Sequence, residues 1–178
     1  LGGVDDAPDF VAHVEDRDLW RFALKGTAEV FSAVTARPFT IEAYDELAKL
    51  SAQELINEGQ GIAMYRQRLI EQTLETAFQT TVLGYHDIWV AAAPYAIGSD
   101  VAGELAKRDP ERFAAYFVTY RDGLKWGLRS AETGINVAEL AQTVGGGGHP
   151  HAAGFTVYND SSAMMHALVS LARLEGEL

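Results

Sequence analysis

The sequence predicts an α/β protein of the α+β type, in which helices pack on a mixed sheet and a long connecting helix precedes that sheet. Three observations carry this prediction. Residues 51–78 repeat apolar side chains at helical spacing, residues 81–93 and 113–130 form strand-like runs around short turns, and further helical and strand-like stretches follow. Elements in this order favour helices packed on a sheet.

The composition fits a folded, water-soluble protein. The chain has 178 residues, of which 48% are apolar and 10% aromatic, a proportion that argues against disorder. No apolar run reaches transmembrane length, so we expect no membrane partner. The absence of cysteine excludes disulfides and thiolate metal sites, and it favours a cytoplasmic location.

The first 80 residues predict helices. Residues 1–45 indicate mixed helix and loop, with a break at Pro38 and a helix from Ile41 that Thr40 caps. Residues 46–80 predict one long connecting helix, because apolar side chains recur along it with Glu, Gln and Arg between them: Leu55, Ile62, Tyr65, Leu69, Leu74 and Phe78. An exposed apolar face on this helix would pair with a second copy, so a homodimer is also a prediction.

Residues 81–178 predict a separate domain with a sheet. The predicted elements are a hairpin of residues 81–83 and 88–93 around a turn at 84–87, a helix at 99–107 capped by Ser99, a hairpin of 113–120 and 124–130 around a turn at 121–123, a helix at 136–142, a strand at 155–158, and a last helix opening at Asp160 or Ser161.

A glycine run between the predicted helix at 136–142 and the predicted strand at 155–158 is the main candidate for a site. Residues 144–155 have the sequence VGGGGHPHAAGF. Consecutive glycines cost conformational entropy, so they indicate a backbone shape that side chains would prevent. The N–H groups of such a loop, here at Gly146, Gly147 and Gly148, converge on anions, and His149 beside them adds a donor. The alternative is a flexible linker, and the run matches neither common phosphate-binding fingerprint.

Two segments resemble a known family. Residues 146–149 (GGGH) followed by 152–154 (AAG), with 128–130 (LRS) upstream, resemble the DHH-associated C-terminal domain, the substrate-gripping half of DHH-family phosphoesterases. Residues 14–22 (VEDRDLWRF) resemble the end of the catalytic domain of that family. The resemblance implies three parts: a remnant of the catalytic domain at 1–45, the connecting helix at 46–80 and the substrate-binding domain at 81–178.

The resemblance implies a substrate site made of Arg129, Ser130 and the residues of the glycine run. The Arg129 guanidinium at a strand end suits bidentate phosphate binding, and its alternative is an ordinary surface arginine. Ser130 either donates to the same phosphate or forms a turn. His149 either contacts substrate or orders its own loop by a hydrogen bond. His151 is expected to be structural or exposed.

Asp16 is the predicted metal ligand. The resemblance places it at the last metal-binding aspartate of the family, with Asp18 as the alternative register, and the other interpretation is an acidic helix start. The Asp-His-His triplet that names the family is absent, and the chain begins at Leu1, which fits a fragment. We therefore expect two divalent cations, manganese or magnesium, in the complete enzyme and no catalysis by this chain alone.

The charge distribution bears on the expected partner. The net charge is −11, with 14 acidic and 7 basic residues in 1–80 and 11 and 7 in 81–178. Six bases of the second part lie close together in the sequence: Lys107, Arg108, Arg112, Arg121, Lys125 and Arg129. Such a local patch suits a nucleotide or a short single-stranded oligonucleotide, although ordinary variation on a solvated face produces the same pattern.

The function that the sequence predicts is substrate recognition in the C-terminal part of a DHH-like phosphoesterase, an enzyme that hydrolyses phosphodiester or phosphomonoester bonds in nucleotides or short oligonucleotides. Two alternatives stay open: a stand-alone nucleotide- or RNA-binding module without catalysis, and a structural or oligomerising role.

Overall fold

A computed structural model describes residues 7–158 of the chain, which divide into two compact units between Leu69 and Ile70. The first unit contains three short helices: α1 (Asp9–Asp18), α2 (Thr27–Thr35) and α3 (Ile41–Leu47). Its core consists of Phe10, Val30, Ala33, Val34, Leu47 and Leu55. Thr40 caps α3 as predicted, because its Oγ1 accepts a hydrogen bond of 3.3 Å from the Ala43 amide.

The long helix α4 (Ala52–Glu75) continues from the first unit into the second. It begins with a reciprocal capping box that the sequence analysis missed. The Glu54 carboxylate accepts from the Ser51 amide at 2.8 Å, while the Ser51 hydroxyl lies 3.3 Å from the Glu54 amide. Gly59 inside α4 has a packing reason, since a Cβ there would lie 1.9 Å from the carbonyl oxygen of Glu29 on α2.

The second unit is built on a six-stranded mixed sheet, which confirms the predicted fold class. The strands are β1 (Phe78–Val82), β2 (Tyr85–Ala92), β3 (Ala114–Tyr120), β4 (Gly123–Arg129), β5 (Gly147–His149) and β6 (Ala152–Tyr158), in the spatial order β1-β2-β3-β4-β6-β5. Only β2 and β3 are parallel, and the other neighbours are antiparallel. Helix α5 (Tyr95–Ala106) connects the parallel pair, as a parallel crossover requires.

The two faces of the sheet carry different helices. Helix α6 (Val137–Gln142) covers one face, where Val137 and Ala141 share a core with Trp126, Leu128 and Phe155. Helix α5 lies against the opposite face. Because strand side chains alternate, the residues between the core positions of β4 point towards α5: Gly123, Lys125, Gly127 and Arg129.

Several predicted boundaries were wrong. Helix α5 begins at Tyr95 after Pro94, so Ser99 lies inside the helix and does not cap it. The β1–β2 turn contains only Leu83 and Gly84, with φ angles of 50° and 85°, as a tight two-residue hairpin requires. β6 begins at Ala152, three residues earlier than predicted. The predicted last helix at Asp160 or Ser161 lies outside the described residues.

Candidate functional site

Gly145 ends helix α6. Its φ is +79°, its amide bonds the Gln142 carbonyl at 3.2 Å, and the Gly146 amide bonds the Ala141 carbonyl at 2.8 Å. This pair of bonds is the Schellman pattern, in which glycine supplies the left-handed residue after a helix. The first glycine of the run therefore serves the fold.

Two further glycines of the run are required by close packing. A Cβ on Gly146 would lie 2.2 Å from the Gly154 carbonyl oxygen. A Cβ on Gly148, whose φ is +148°, would lie 2.5 Å from the Ala152 carbonyl oxygen. Gly147 is different, because a Cβ there meets no atom of the described residues within 4 Å and its φ is not in the left-handed region. Open space above Gly147 is therefore available to a ligand.

The expected loop is a strand, and its register brings the predicted site residues together. His149 on β5 pairs with Ala152 on β6, and Ala152 pairs with Arg129 on β4. Residues that pair directly across antiparallel strands have side chains on the same face. Arg129 and His149 thus share the α5 face of the sheet, with Cα atoms about 10 Å apart across the intervening strand.

A second row of paired residues, Gly127, Gly154 and Gly147, lies beside this one. We call these three residues the glycine shelf. The Tyr116 ring lies over Gly127, which is buried, whereas Gly154 and Gly147 are partly exposed and present backbone towards the sheet edge at β5. Sequence reasoning missed Gly127 and named Gly154 only within the AAG motif, although a glycine inside a strand is a signal of close approach by a ligand or another chain.

The Arg129 guanidinium is fixed by α5. It donates a hydrogen bond to the Ser99 hydroxyl, and Asp100 on the same helix also interacts with it electrostatically. Burial lowers the pKa of Arg129, while Tyr116 and Asp100 oppose that shift. An arginine stays protonated under such conditions, so the half-buried group carries a positive charge to the shelf.

Tyr116 on β3 lies between α5 and the shelf. A Cβ on Gly98 of α5 would lie 2.2 Å from its ring, and a Cβ on Gly127 would lie 2.1 Å from it. Burial raises the pKa of Tyr116, so its hydroxyl remains a neutral donor and acceptor at neutral pH. The two glycines therefore allow one aromatic ring to join the helix to the sheet beside Arg129.

Ser130 and His151 bond to each other at the end of β4. The Ser130 hydroxyl lies 3.1 Å from His151 Nδ1, and the Ser130 amide donates to the His151 carbonyl at 3.3 Å. The tautomer of His151 decides which side chain donates. His151 is thus part of the structure around the turn, and the exposed His149 is the histidine that faces solvent.

Asp16, in the first unit, is buried and strongly hydrogen-bonded. Its Oδ1 accepts from the Ala23 amide at 2.9 Å, and its Oδ2 accepts from the Leu24 amide at 3.1 Å and the Thr27 hydroxyl at 2.6 Å. The Thr27 bond is the largest cause that lowers the pKa of Asp16. His13 Nδ1 lies 3.1 Å from the same hydroxyl. The alternative ligand, Asp18, is exposed.

Within residues 7–158, no group of three or more His, Asp or Glu side chains is placed to hold a metal ion. Only one lone pair of Asp16 Oδ1 is left for a cation after the three hydrogen bonds. The residues described here do not by themselves fit a two-metal centre. The role of Asp16 as a metal ligand stays a prediction.

One protein-family model matches part of the chain. The model of the DHHA1 domain matches residues 91–174, which include α5, the glycine shelf, Arg129 and His149. The class of this part of the chain is therefore a DHHA1 domain. No curated protein sequence gives a significant match.

Solved structures share the fold. The pGpG-specific phosphodiesterase PggH from Vibrio cholerae is 12% identical, with a TM-score of 0.53 over 96% of this chain and 69% of that one. RecJ from Thermus thermophilus in complex with Mg²⁺ is 20% identical, with a TM-score of 0.50 over 88% of this chain and 26% of that one. An exonuclease RecJ bound to manganese is 22% identical, with a TM-score of 0.49 over 87% of this chain and 40% of that one. The chain thus spans only part of the length of each of these proteins.

Proposed function

We propose that this chain supplies nucleotide recognition to a DHH-like phosphoesterase that hydrolyses phosphodiester or phosphomonoester bonds in nucleotides or short single-stranded oligonucleotides. The observation that supports this most is the pairing of Arg129, Ala152 and His149 beside the glycine shelf. A guanidinium and an imidazole then flank a surface of bare backbone. This arrangement suits a nucleotide, in which an anionic phosphate is joined to a planar base.

Each residue of the site has a physical role in the proposal. Arg129 binds phosphate oxygens with a guanidinium that Ser99 orients, so less side-chain entropy is lost on binding. His149 lies at the other end of the paired residues Arg129, Ala152 and His149, and it donates to the phosphate from that end. Gly147 leaves room for the ligand to approach the backbone. Ser130 contributes through its bond to His151, which holds the turn that carries His149 in register.

The metal chemistry is assigned to the complete enzyme. Divalent manganese or magnesium would activate the water that attacks phosphorus. The residues described here do not fit a two-metal centre, so the proposed contribution of this chain is to bind and orient the nucleotide. The proposal also places the protein in the cytoplasm. Among the described residues, no helix is both long and apolar enough to cross a membrane.

Nucleotide binding by the whole chain tests the proposal. We expect a nucleoside monophosphate to bind weakly, and Arg129→Ala or His149→Ala to weaken binding by about one to two orders of magnitude, because a hydrogen bond to a charged group contributes roughly 1.5–3 kcal/mol. The measurement is calorimetric titration at two salt concentrations, with circular dichroism to check folding. His86→Ala is the matched control, since His86 is an exposed histidine on β2, which lies next to the opposite edge strand β1.

Two outcomes separate the candidates. Equal binding by the wild type and both variants would place the site elsewhere. Binding that depends on Arg129 and His149 in a protein whose full-length form shows no hydrolysis would favour the alternative, a nucleotide- or RNA-binding module without catalysis.

A further inference from the structure

The side chain of Tyr116 crosses from β3 to β4. Tyr116 pairs with Gly127, and the hydroxyl end of its ring lies over that glycine, since a Cβ on Gly127 would be 2.1 Å from the ring carbon Cε1 and 2.8 Å from the hydroxyl oxygen. Gly127 in turn pairs with Gly154 on β6, and Gly154 pairs with Gly147 on β5. The ring therefore begins the row that the glycine shelf continues towards the sheet edge.

Two glycines admit this ring beside Arg129. Gly98 is buried inside α5, and a Cβ there would lie 2.2 Å from the ring carbons Cδ2 and Cε2 of Tyr116. Glycine destabilises a helix interior relative to alanine, so α5 loses stability to make room for the ring. The next residue of the helix, Ser99, bonds the Arg129 guanidinium. The contacts with Gly98 and Gly127 thus fix the ring next to a charged group of the site.

The Tyr116 hydroxyl has no hydrogen-bond partner among residues 7–158. Within the same residues, no buried side-chain nitrogen or oxygen lacks a partner, so the hydroxyl of this half-buried tyrosine is in contact with solvent. Burial raises the pKa of Tyr116, while the charge of Arg129 opposes that shift, and the hydroxyl keeps its proton at neutral pH. The hydroxyl is therefore a donor at the surface of the site.

A ligand can supply the acceptor that the hydroxyl needs. The Arg129 guanidinium has only N–H donors, so it cannot accept from Tyr116. A phosphate bound to that guanidinium brings several acceptor oxygens beside the ring. Packing does not account for the hydroxyl, because a phenylalanine ring would fill the space between Gly98 and Gly127 equally well.

We propose that the Tyr116 hydroxyl donates a hydrogen bond to the phosphate that Arg129 binds, which makes Tyr116 a ligand-contacting residue of the site. This inference rests on the proposed function, because that function places a nucleotide phosphate at Arg129. The phosphate then receives donors from three strands: Tyr116 of β3, Arg129 of β4 and His149 of β5. Tyr116 strengthens the binding of phosphate without adding a charge.

Titration of the whole chain with a nucleoside 5′-monophosphate tests this contact. We expect Tyr116→Phe to weaken binding about tenfold, because a hydrogen bond to a charged group is lost while the ring keeps its place. The salt dependence of the remaining binding should stay as in the wild type, since no charge is removed, whereas Arg129→Ala should reduce it. Without ligand, the thermal midpoint of Tyr116→Phe should match that of the wild type. Tyr120→Phe is the control, since Tyr120 is an exposed tyrosine further along β3.

Inorganic phosphate, used as a competitor, separates contacts with phosphate from contacts with the sugar and the base. Its inhibition constant should rise in Tyr116→Phe by about the same factor as the dissociation constant of the nucleotide.

Three results overturn the contact: wild-type nucleotide affinity in Tyr116→Phe, weaker nucleotide binding with an unchanged inhibition constant for phosphate, or a lower thermal midpoint of ligand-free Tyr116→Phe, which would mean that the hydroxyl has a partner within the protein. Nucleotide binding that Arg129→Ala leaves intact, or no binding by the wild type, overturns the proposed function instead.

Discussion

At the scale of single residues, Gly147 is the position at which the proposed ligand binding can be tested without disturbing the fold. A methyl group there meets no atom of residues 7–158 within 4 Å, whereas a methyl group on the neighbouring Gly146 would lie 2.2 Å from the Gly154 carbonyl oxygen. Adjacent positions in one glycine run thus have different reasons to be glycine. Sequence alone does not distinguish them, because the difference depends on contacts with β6.

We expect Gly147→Ala to fold with wild-type stability and to bind a nucleoside monophosphate at least several-fold more weakly, since the added methyl group occupies the shelf. Gly146→Ala should cost roughly 1–3 kcal/mol of folding free energy by overpacking. Urea unfolding and ligand titration of both variants provide the measurement. Wild-type nucleotide affinity in Gly147→Ala would show that the ligand does not approach this backbone.

Some of the proposed site residues could be predicted from the sequence and others could not. Arg129 and His149 could be proposed from sequence, because a histidine beside a glycine run and an arginine at a strand end can both be recognised in the sequence itself. Tyr116 and Ser99 could not, because their importance comes from packing between α5 and β4. Ser99 was even assigned to a helix cap, since serine is common there and the earlier start at Pro94 carries no side-chain cap.

At the scale of elements, the segment between α1 and α2 is held by one carboxylate. Trp20 and Phe22 have φ angles of 57° and 48°, which are unfavourable for residues other than glycine. The Asp16 side chain accepts hydrogen bonds from two amides of this segment and from Thr27 at the start of α2. These bonds, together with the Arg17 guanidinium 4.2 Å from the Trp20 ring centroid, compensate for the strain.

We expect the stability of the first unit to depend on the ionisation of Asp16. Its pKa lies below the ordinary value of 3.8, so the carboxylate stabilises the folded state above that pH, and the contribution is lost as the pH falls through the folded pKa. Asp16→Asn should lower the thermal midpoint at neutral pH and reduce the acid sensitivity of unfolding.

Thermal unfolding from neutral pH into the acidic range measures this dependence, because acidification removes the carboxylate charge. Asp18→Asn is the control, because Asp18 is an exposed aspartate in the same helix turn region. An unchanged midpoint in Asp16→Asn at neutral pH would contradict the structural role of these hydrogen bonds.

The elements that sequence predicted best are those with a strong local period or turn. The long helix, the mixed sheet and both hairpins followed from such signals. The helix was predicted too long, over 46–80, because α4 spans only Ala52–Glu75 and Phe78 begins the strand β1. The glycine run was predicted as a loop and is in part the strand β5, because glycine has no strand preference and the strand exists only through pairing with β6. Long-range pairing of this kind leaves no pattern within the segment itself.

At the scale of the whole molecule, the chain combines a helical unit with a unit that the DHHA1 domain model matches, and the proposed recognition residues all lie in the second of these. The acidic net charge of −11 does not oppose nucleotide binding in this arrangement, because Lys125 and Arg129 share one face of β4. Most other bases of the predicted patch have contacts elsewhere, such as Lys107 with Glu104 and Arg108 over Trp89.

We expect the purified chain to have no metal-dependent phosphodiesterase activity, because Asp16 alone cannot hold two cations about 3.5–4 Å apart. The measurement is hydrolysis of a short oligonucleotide with manganese or magnesium. Robust turnover that a chelator abolishes would contradict this expectation. A full-length protein that loses activity in Asp16→Ala, with its fold checked because of the hydrogen bonds described above, would support the predicted ligand.

The two-residue connection between β5 and β6, Pro150 and His151, has a consequence for insertions. Surface turns usually tolerate extra residues. Here the length of the turn decides which β5 residue pairs with Ala152. Because strand side chains alternate between the two faces of the sheet, a shift of one residue moves each β5 side chain to the other face. One added residue that shifted β5 along β6 would turn the imidazole of His149 towards α6 and away from Arg129. Relatives that bind through this histidine should therefore keep the turn length even where the identities of its residues vary.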